Sequence, residues 1–284
     1  MILRSIGKNT DVVLKALSDQ FGDKYLYCWN NFKHDTDWAL HAYHTSLVQN
    51  KDIMCAETPL IGRQLFNEGS DQSYYRVGIN VVSTFLHNNY FIPNTASPDR
   101  FYQILENSQT KLKPWRSSGD HIIYAMQVPG DTSLSGLDVF AAAQYDLIML
   151  RKLSNRPIIV ALHPDIKQGW GLQQFEENKK SFNDFKKVVD ITNCKISTVN
   201  TNDLFNDAWC TVCHTSGISF DSIVNGVPTI TLNERSFMRP ITSTSYYDID
   251  NPLITDRIPW LSRIAYCQWN LSEINTGVFK AHIT

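Results

Sequence analysis

No stretch of this 284-residue chain approaches the roughly 20 consecutive apolar residues that a helix needs to cross a bilayer, so a membrane span is not expected. The opening from Met1 to Lys8 is too short and too interrupted to read as a secretory signal. Charge of one sign is also missing. With 26 Lys and Arg against 28 Asp and Glu, the net charge is −2, which lacks the basic excess that marks nucleic-acid affinity but leaves room for a local basic groove. There is no internal repeat and no low-complexity segment. Cysteine is sparse: Cys28, Cys55, Cys194, Cys210, Cys213 and Cys267 are scattered over a chain too long to need stapling, and they read as reduced thiols rather than a disulfide framework. These absences lead to the expectation of a soluble, cytoplasmic protein.

What is present is apolar and aromatic content, 43% and 12%, enough to bury the core of one large domain or two of ordinary size. Asp11 to Leu17 has helical spacing, while Tyr25 to Trp29 and Asp52 to Glu57 read as strands. The stretches 74–80 and 81–86 read as helical or mixed, and Pro98-Asp99-Arg100 opens a helix through Glu106. Pro, Ser and Gly then punctuate Lys113 to Asp120. Beyond them strands are expected over 121–127, 157–162, 189–191, 209–214 and 229–232, with helices over 137–153, 173–188, 203–206 and 218–225. That alternation predicts a parallel sheet with crossover helices. The tail, from Pro259 through Trp269 to Val278, reads as helical, with a capped start at Ser272-Glu273-Ile274.

Two stretches carry the chemistry. The apolar run Ile158 to Leu162 ends abruptly in His163-Pro164, and the run ending at Cys213-His214 breaks into Thr215-Ser216-Gly217-Ile218-Ser219 before a helical segment and the return through Gly226-Val227-Pro228. Each reads as a buried parallel strand whose carboxyl end delivers polar groups into a crevice, the place where open α/β sheets bind ligands. Thr215, Ser216, Gly217 and Ser219 fall at a helix start, where unpaired amides favour an anion, although an ordinary capped turn has the same composition. His163 suits a diphosphate or ribose, and Pro164 forces the turn. Asp221 is placed to accept from ribose hydroxyls. The combination points to a phosphorylated, nucleotide-bearing ligand.

Cys210-x-x-Cys213-His214 matches a haem-attachment pattern literally and half of a zinc site. It lies in a β-branched strand, where positions i and i+3 face opposite ways, and no second cysteine pair follows, so neither group is expected. Asp248-Ile249-Asp250 matches a metal–nucleotide motif but sits in an irregular, Pro-bounded stretch. No cofactor and no obligatory metal are expected.

His163-Pro164, the Ser216/Ser219-Asp221-x4-Gly226-Val227-Pro228 pattern and Glu57 to Arg63 resemble glycosyltransferases of the capsular-polysaccharide-synthesis type. Gln127-Val128-Pro129-Gly130-Asp131 and the tail Tyr266-Cys267-Gln268-Trp269-x3-Glu273-Ile274 are similar to phage-encoded relatives that modify hydroxymethylated bases of viral DNA. The resemblance implies an α/β fold of the GT-B kind, two Rossmann-like domains facing across a cleft, with C-terminal helices packing back toward the first. The corresponding division is 1–117 for the acceptor side, 118–256 for the nucleotide sugar and 257–284 for a helical segment. The function implied is transfer of a sugar from a nucleotide-sugar donor to a hydroxyl, that of a 5-hydroxymethyl pyrimidine in double-stranded phage DNA or of a polysaccharide. A nucleotide-sugar epimerase of the same architecture and a non-catalytic nucleotide-binding module are the other readings.

Under the resemblance Gln127, His163, Pro164, Thr215, Ser216, Gly217, Ser219 and Asp221 hold the donor. Glu57, at a strand end on the acceptor side, is the expected general base, and Asp131 is the competing carboxylate. Where family members often carry a basic residue before His-Pro this chain has Ala161-Leu162. Phosphate neutralisation is therefore expected from Arg63, Arg116, Lys167 or Arg239.

Overall fold

The computed structural model describes residues 1–4, 8–29, 36–63, 66–67, 69–80, 92–134, 136–164, 169–197 and 201–282. Its first elements are β1 (Ile2–Arg4), α1 (Lys8–Phe21), β2 (Leu26–Trp29), α2 (Thr36–Gln49), β3 (Ile53–Glu57), β4 (Tyr74–Ile79) and α3 (Asp99–Asn107). Next come β5 (His121–Ala125), α4 (Val139–Leu153), β6 (Ile158–Ala161), α5 (Gly169–Glu177), α6 (Lys179–Ile191), β7 (Lys195–Ile196), α7 (Thr201–Leu204), β8 (Ala208–Cys213), α8 (Ile218–Val224) and β9 (Thr229–Thr231). The chain closes with α9 (Ile258–Ala265), β10 (Gln268–Asn270) and α10 (Leu271–Thr276). These elements form two compact units, one of Met1–Thr110 with Arg257–Thr284, the other of Lys111–Asp256.

The first unit holds a five-stranded sheet in the order β1-β2-β3-β4-β10. Strands β1, β2 and β3 run parallel, whereas β4 is antiparallel to both β3 and β10. Residues 74–79 therefore form a strand where a helical or mixed segment was expected. The reason is pairing on both edges: Tyr74, Tyr75 and Val77 are β-formers buried between β3 and a tail strand that lies nearly 200 residues further along the chain. The tail is likewise not wholly helical, since Gln268, Trp269 and Asn270 pair with Arg76, Tyr75 and Tyr74. The cap of α10 is Asn270 rather than Ser272: its side chain accepts from Glu273 N while Glu273 accepts from the Asn270 amide, a complete capping box. Val13, Leu14 and Leu17 of α1 pack with Tyr27, Trp29, Met54, Tyr75, Trp269, Ile274 and Phe279 in this unit's core. The sequence stretch 81–86 lies outside the described residues.

The second unit holds five parallel strands in the order β7-β6-β5-β8-β9. Counted along the chain this is third, second, first, fourth, fifth, so the order reverses between β5 and β8. Ile122, Tyr124, Val160, Cys210 and Val212 face one side with α4 and α6, while Ile123, Ala161 and Ala208 face the other with Leu204, Phe205 and Val227. Burial on both faces explains why these strands read as continuous apolar runs. The single helix expected over 173–188 is two helices meeting at Asn178. The strand expected at 189–191 is the last turn of α6, because Phe185 and Val189 sit on one buried helical stripe; the strand follows at Lys195 after a left-handed Asn193.

Candidate functional site

Strand β5 ends at Ala125 and β8 at Cys213, and the two residues are register partners. Two positions further on, Gln127 and Thr215 come together. Gln127 Oε1 accepts from Thr215 N at 2.9 Å, and Gln127 Nε2 donates to Thr215 Oγ1 at 2.9 Å and to Ser133 Oγ at 3.2 Å. The Ser133 and Thr215 hydroxyls are 2.7 Å apart, and Ser133 N donates to Asp131 Oδ1 at 2.9 Å. Asp131 reaches this position because Gly130 takes a left-handed φ of 77°, which turns the loop back toward the strand end. The four residues thus form one polar network at the carboxyl ends of the two strands where the order reverses, the place at which open parallel sheets bind ligands.

A second polar group lies beside it. The Val139, Phe140, Ala143, Leu147 and Leu150 stripe of α4 is buried, and Asp146 shares its burial. Asp146 Oδ2 accepts from Tyr124 OH of β5 at 2.7 Å and lies 2.8 Å from Nε2 of His214, the residue directly after β8. Tyr246 OH donates to the other oxygen, Asp146 Oδ1. The side chain of Asp146 is 2% exposed and that of His214 13%. Burial, then Asp146, pushes both the Tyr124 and the Tyr246 phenols above their ordinary range, which keeps them protonated and donating.

The sequence-predicted residues divide between this region and elsewhere. Gln127, Asp131 and Thr215 belong to the network. Ser216 and Gly217 continue the turn: Ser216 Oγ accepts from Ile218 N at 3.4 Å, and Gly217 caps α8 without a side-chain bond. Ser219 is buried and its hydroxyl donates to Ser216 O at 2.7 Å, so it serves the turn itself. Asp221 is in the first turn of α8, and His163 and Pro164 follow β6, the other neighbour of β5. Arg116 lies at the opposite edge of the sheet: its amide donates to Gly226 O at 2.8 Å and its guanidinium to Asn206 O, both just before the amino ends of β9 and β8. The length of β8 separates that edge from Thr215 by about 17 Å. Arg239 sits in the segment after β9, within a short 3-10 turn. Glu57 and the exposed Arg63 belong to the first unit, and Glu57 is ion-paired with the buried Arg76 at 2.5 Å. Arg76 also donates from Nε to Thr58 O at 2.7 Å. Lys167 lies outside the described residues.

Sequence reasoning missed Ser133, Tyr124, Asp146, His214 as a functional group, and Tyr246. One signal was available, a carboxylate on the apolar stripe of α4. Cys210 and Cys213 are both fully buried, and burial pushes the Cys213 thiol up to about 12. Among the described residues no three His, Cys, Asp or Glu side chains gather as a metal site, and no helix is long and apolar enough to cross a membrane.

No family model and no curated protein matches the chain in sequence. Its fold is similar to two solved proteins from Thermosulfurimonas dismutans. One is the KpsC beta Kdo 2,7 transferase, at 16% identity and a TM-score of 0.51, covering 92% of this chain and 81% of that one. The other is the KpsC beta Kdo 2,4 transferase, at 12% identity and a TM-score of 0.50, covering 92% and 87%. A Methanocaldococcus jannaschii UDP-GlcNAc 2-epimerase, solved with UDP-GlcNAc and UDP, matches at 12% identity and a TM-score of 0.39 over 97% and 82%. Taken with the two sheets, the likeness to the transferases gives this chain an α/β fold of two Rossmann-like domains.

Proposed function

We propose that the chain is a glycosyltransferase that moves a sugar from a nucleotide-sugar donor to a hydroxyl acceptor, and that the donor binds at the strand ends of the second unit. The observation that carries this is the Gln127–Ser133–Thr215 network with Asp131 at its edge, lying where the strand order reverses. Its hydroxyl and amide groups are of the kind that orient ribose and phosphate oxygens, and His163 lies in the segment that follows the adjacent strand β6. The fold likeness to two Kdo transferases supports sugar transfer.

Transfer requires the acceptor hydroxyl to lose its proton as it attacks the anomeric carbon, and a positioned carboxylate supplies the base. Asp131 fits this role better than Glu57. One Asp131 oxygen is fixed by the Ser133 amide, and the other has no protein hydrogen-bond partner among the described residues. Glu57 is already engaged by Arg76. Arg116, anchored on Asn206 and Gly226 at the far edge, leaves Arg63, Lys167 and Arg239 as the phosphate candidates. The likeness to the Kdo transferases favours a saccharide acceptor, whereas the sequence resemblance to phage relatives favours a hydroxymethyl pyrimidine of DNA. The near-neutral charge argues against DNA.

The test is incubation with CMP-, UDP- and GDP-sugars together with oligosaccharides or hydroxymethylated DNA, read by mass spectrometry. A mass increment of one sugar on an acceptor is expected, lost in Asp131→Asn with donor binding kept. Interconversion of the sugar nucleotide without an acceptor would make the protein an epimerase. Binding without either reaction would make it a binding module.

A further inference from the structure

We infer that Asp146 sets the tautomer of His214 so that the imidazole Nδ1 accepts a hydrogen bond from a hydroxyl of the bound nucleotide sugar; this rests on the reading of the strand ends as a nucleotide-sugar site. The geometry requires the first half. Tyr124 and Tyr246 both donate to the Asp146 carboxylate, so the carboxylate is an acceptor on each side and the facing imidazole nitrogen, Nε2, carries the hydrogen. In the neutral ring the remaining nitrogen, Nδ1, is then an acceptor. It has no protein hydrogen-bond partner among the described residues.

Position supplies the second half. His214 precedes Thr215, whose amide and hydroxyl are held by Gln127, so the ring stands at the same strand end as the polar network. It is partly exposed there, while the carboxylate behind it is buried. A buried acid with three donors converging on it costs desolvation that apolar residues at the same place would avoid. Such an arrangement makes sense when it fixes the orientation of a ring that another molecule uses, as second partners do for metal-bound or catalytic histidines. Asp146 is thus a positioning residue and His214 a binding residue.

The experiment uses the full chain with 15N-labelled histidine. Two-bond proton–nitrogen correlations are expected to place the His214 proton on Nε2 and none on Nδ1. Asp146→Asn, whose amide can donate to Nε2, is expected to move the proton to Nδ1. In titrations with CMP, UDP and GDP and their sugar conjugates, it should weaken the probe that binds the unaltered protein by about tenfold, the worth of one hydrogen bond. His214→Phe should cost the same factor. His214→Asn keeps an acceptor near the Nδ1 position and should recover most of it, a contrast that stands even if Asp146→Asn fails to fold. Loss with the bare nucleotide assigns the hydroxyl to ribose; loss confined to the conjugate assigns it to the sugar. A proton on Nδ1 in the unaltered protein overturns the inference, as does equal affinity of the Asn and Phe variants. Failure of every nucleotide to bind the unaltered protein instead overturns the site reading on which the inference rests.

Discussion

At the scale of single residues, Glu57 and Arg76 show how a strand-end carboxylate acquires a structural job. The pair is largely buried, and the guanidinium also holds the Thr58 carbonyl at the start of the following loop. Glu57→Gln leaves Arg76 buried opposite a neutral group, which should cost about 2 kcal/mol of stability, measurable as a lower denaturant midpoint with unchanged slope. Loss of sugar transfer at an unchanged midpoint would restore Glu57 to the mechanism. Thr215 was readable in the sequence because small and polar turn residues interrupt an apolar run there, whereas Gln127 and Asp131 entered through the family resemblance of their loop. The pairing of Asp146 with His214 was not, because the two are 68 residues apart and nothing local in either segment points to the other. His214 was visible only as the end of a metal-like pattern, and its partner is a carboxylate.

At the scale of elements, four of the five strands of the second unit were legible, β7 being the exception, and those completing the first were not. Strands β5, β6 and β8 are buried on both faces and appear as largely apolar runs bounded by turn residues, and β9, Thr229-Ile230-Thr231, is a short buried strand set off by Gly226 and Pro228. Strand β4 is aromatic and carries Arg76, and β10 is three residues long; their identity comes from pairing with each other, which no local pattern encodes. The turn between α8 and β9 offers a direct test. Gly226 has a φ of +77°, and a Cβ there would stand 1.9 Å from the Pro114 carbonyl oxygen. That carbonyl cannot retreat easily, because Lys113 N donates to Val224 O and Arg116 N to Gly226 O, both at 2.8 Å. Gly226→Ala is therefore expected to destabilise the second unit by about 3 kcal/mol or more, combining backbone strain with a clash. A calorimetric midpoint within a degree or so of the unaltered protein would refute this packing.

At the scale of the whole molecule, the second unit is one continuous stretch, Lys111–Asp256, whereas the first is assembled from both ends of the sequence. Residues after 256 contribute an edge strand, the capped helix α10 and the buried side chains Trp269, Leu271, Ile274 and Phe279. Gln268 is fully buried, and its Oε1 accepts from the Leu60 and Ile61 amides, so the tail also holds the loop after β3. Removing residues 257–284 should unfold the first unit while the second keeps a cooperative transition. Amide exchange would show protection lost over β2 to β4 and retained over β5 to β9; retained protection in both would contradict the division.

The interleaving of the first sheet also dictates an order of events during translation. Residues 111–256 can collapse as soon as they leave the ribosome, while Tyr74 to Ile79 must wait for a partner synthesised almost 200 positions later. For that interval the earlier half carries an open β-edge next to Tyr75 and Trp29, a surface prone to pairing with other chains. The nascent polypeptide would thus depend most on chaperones through its amino-terminal part, even though that part is made first.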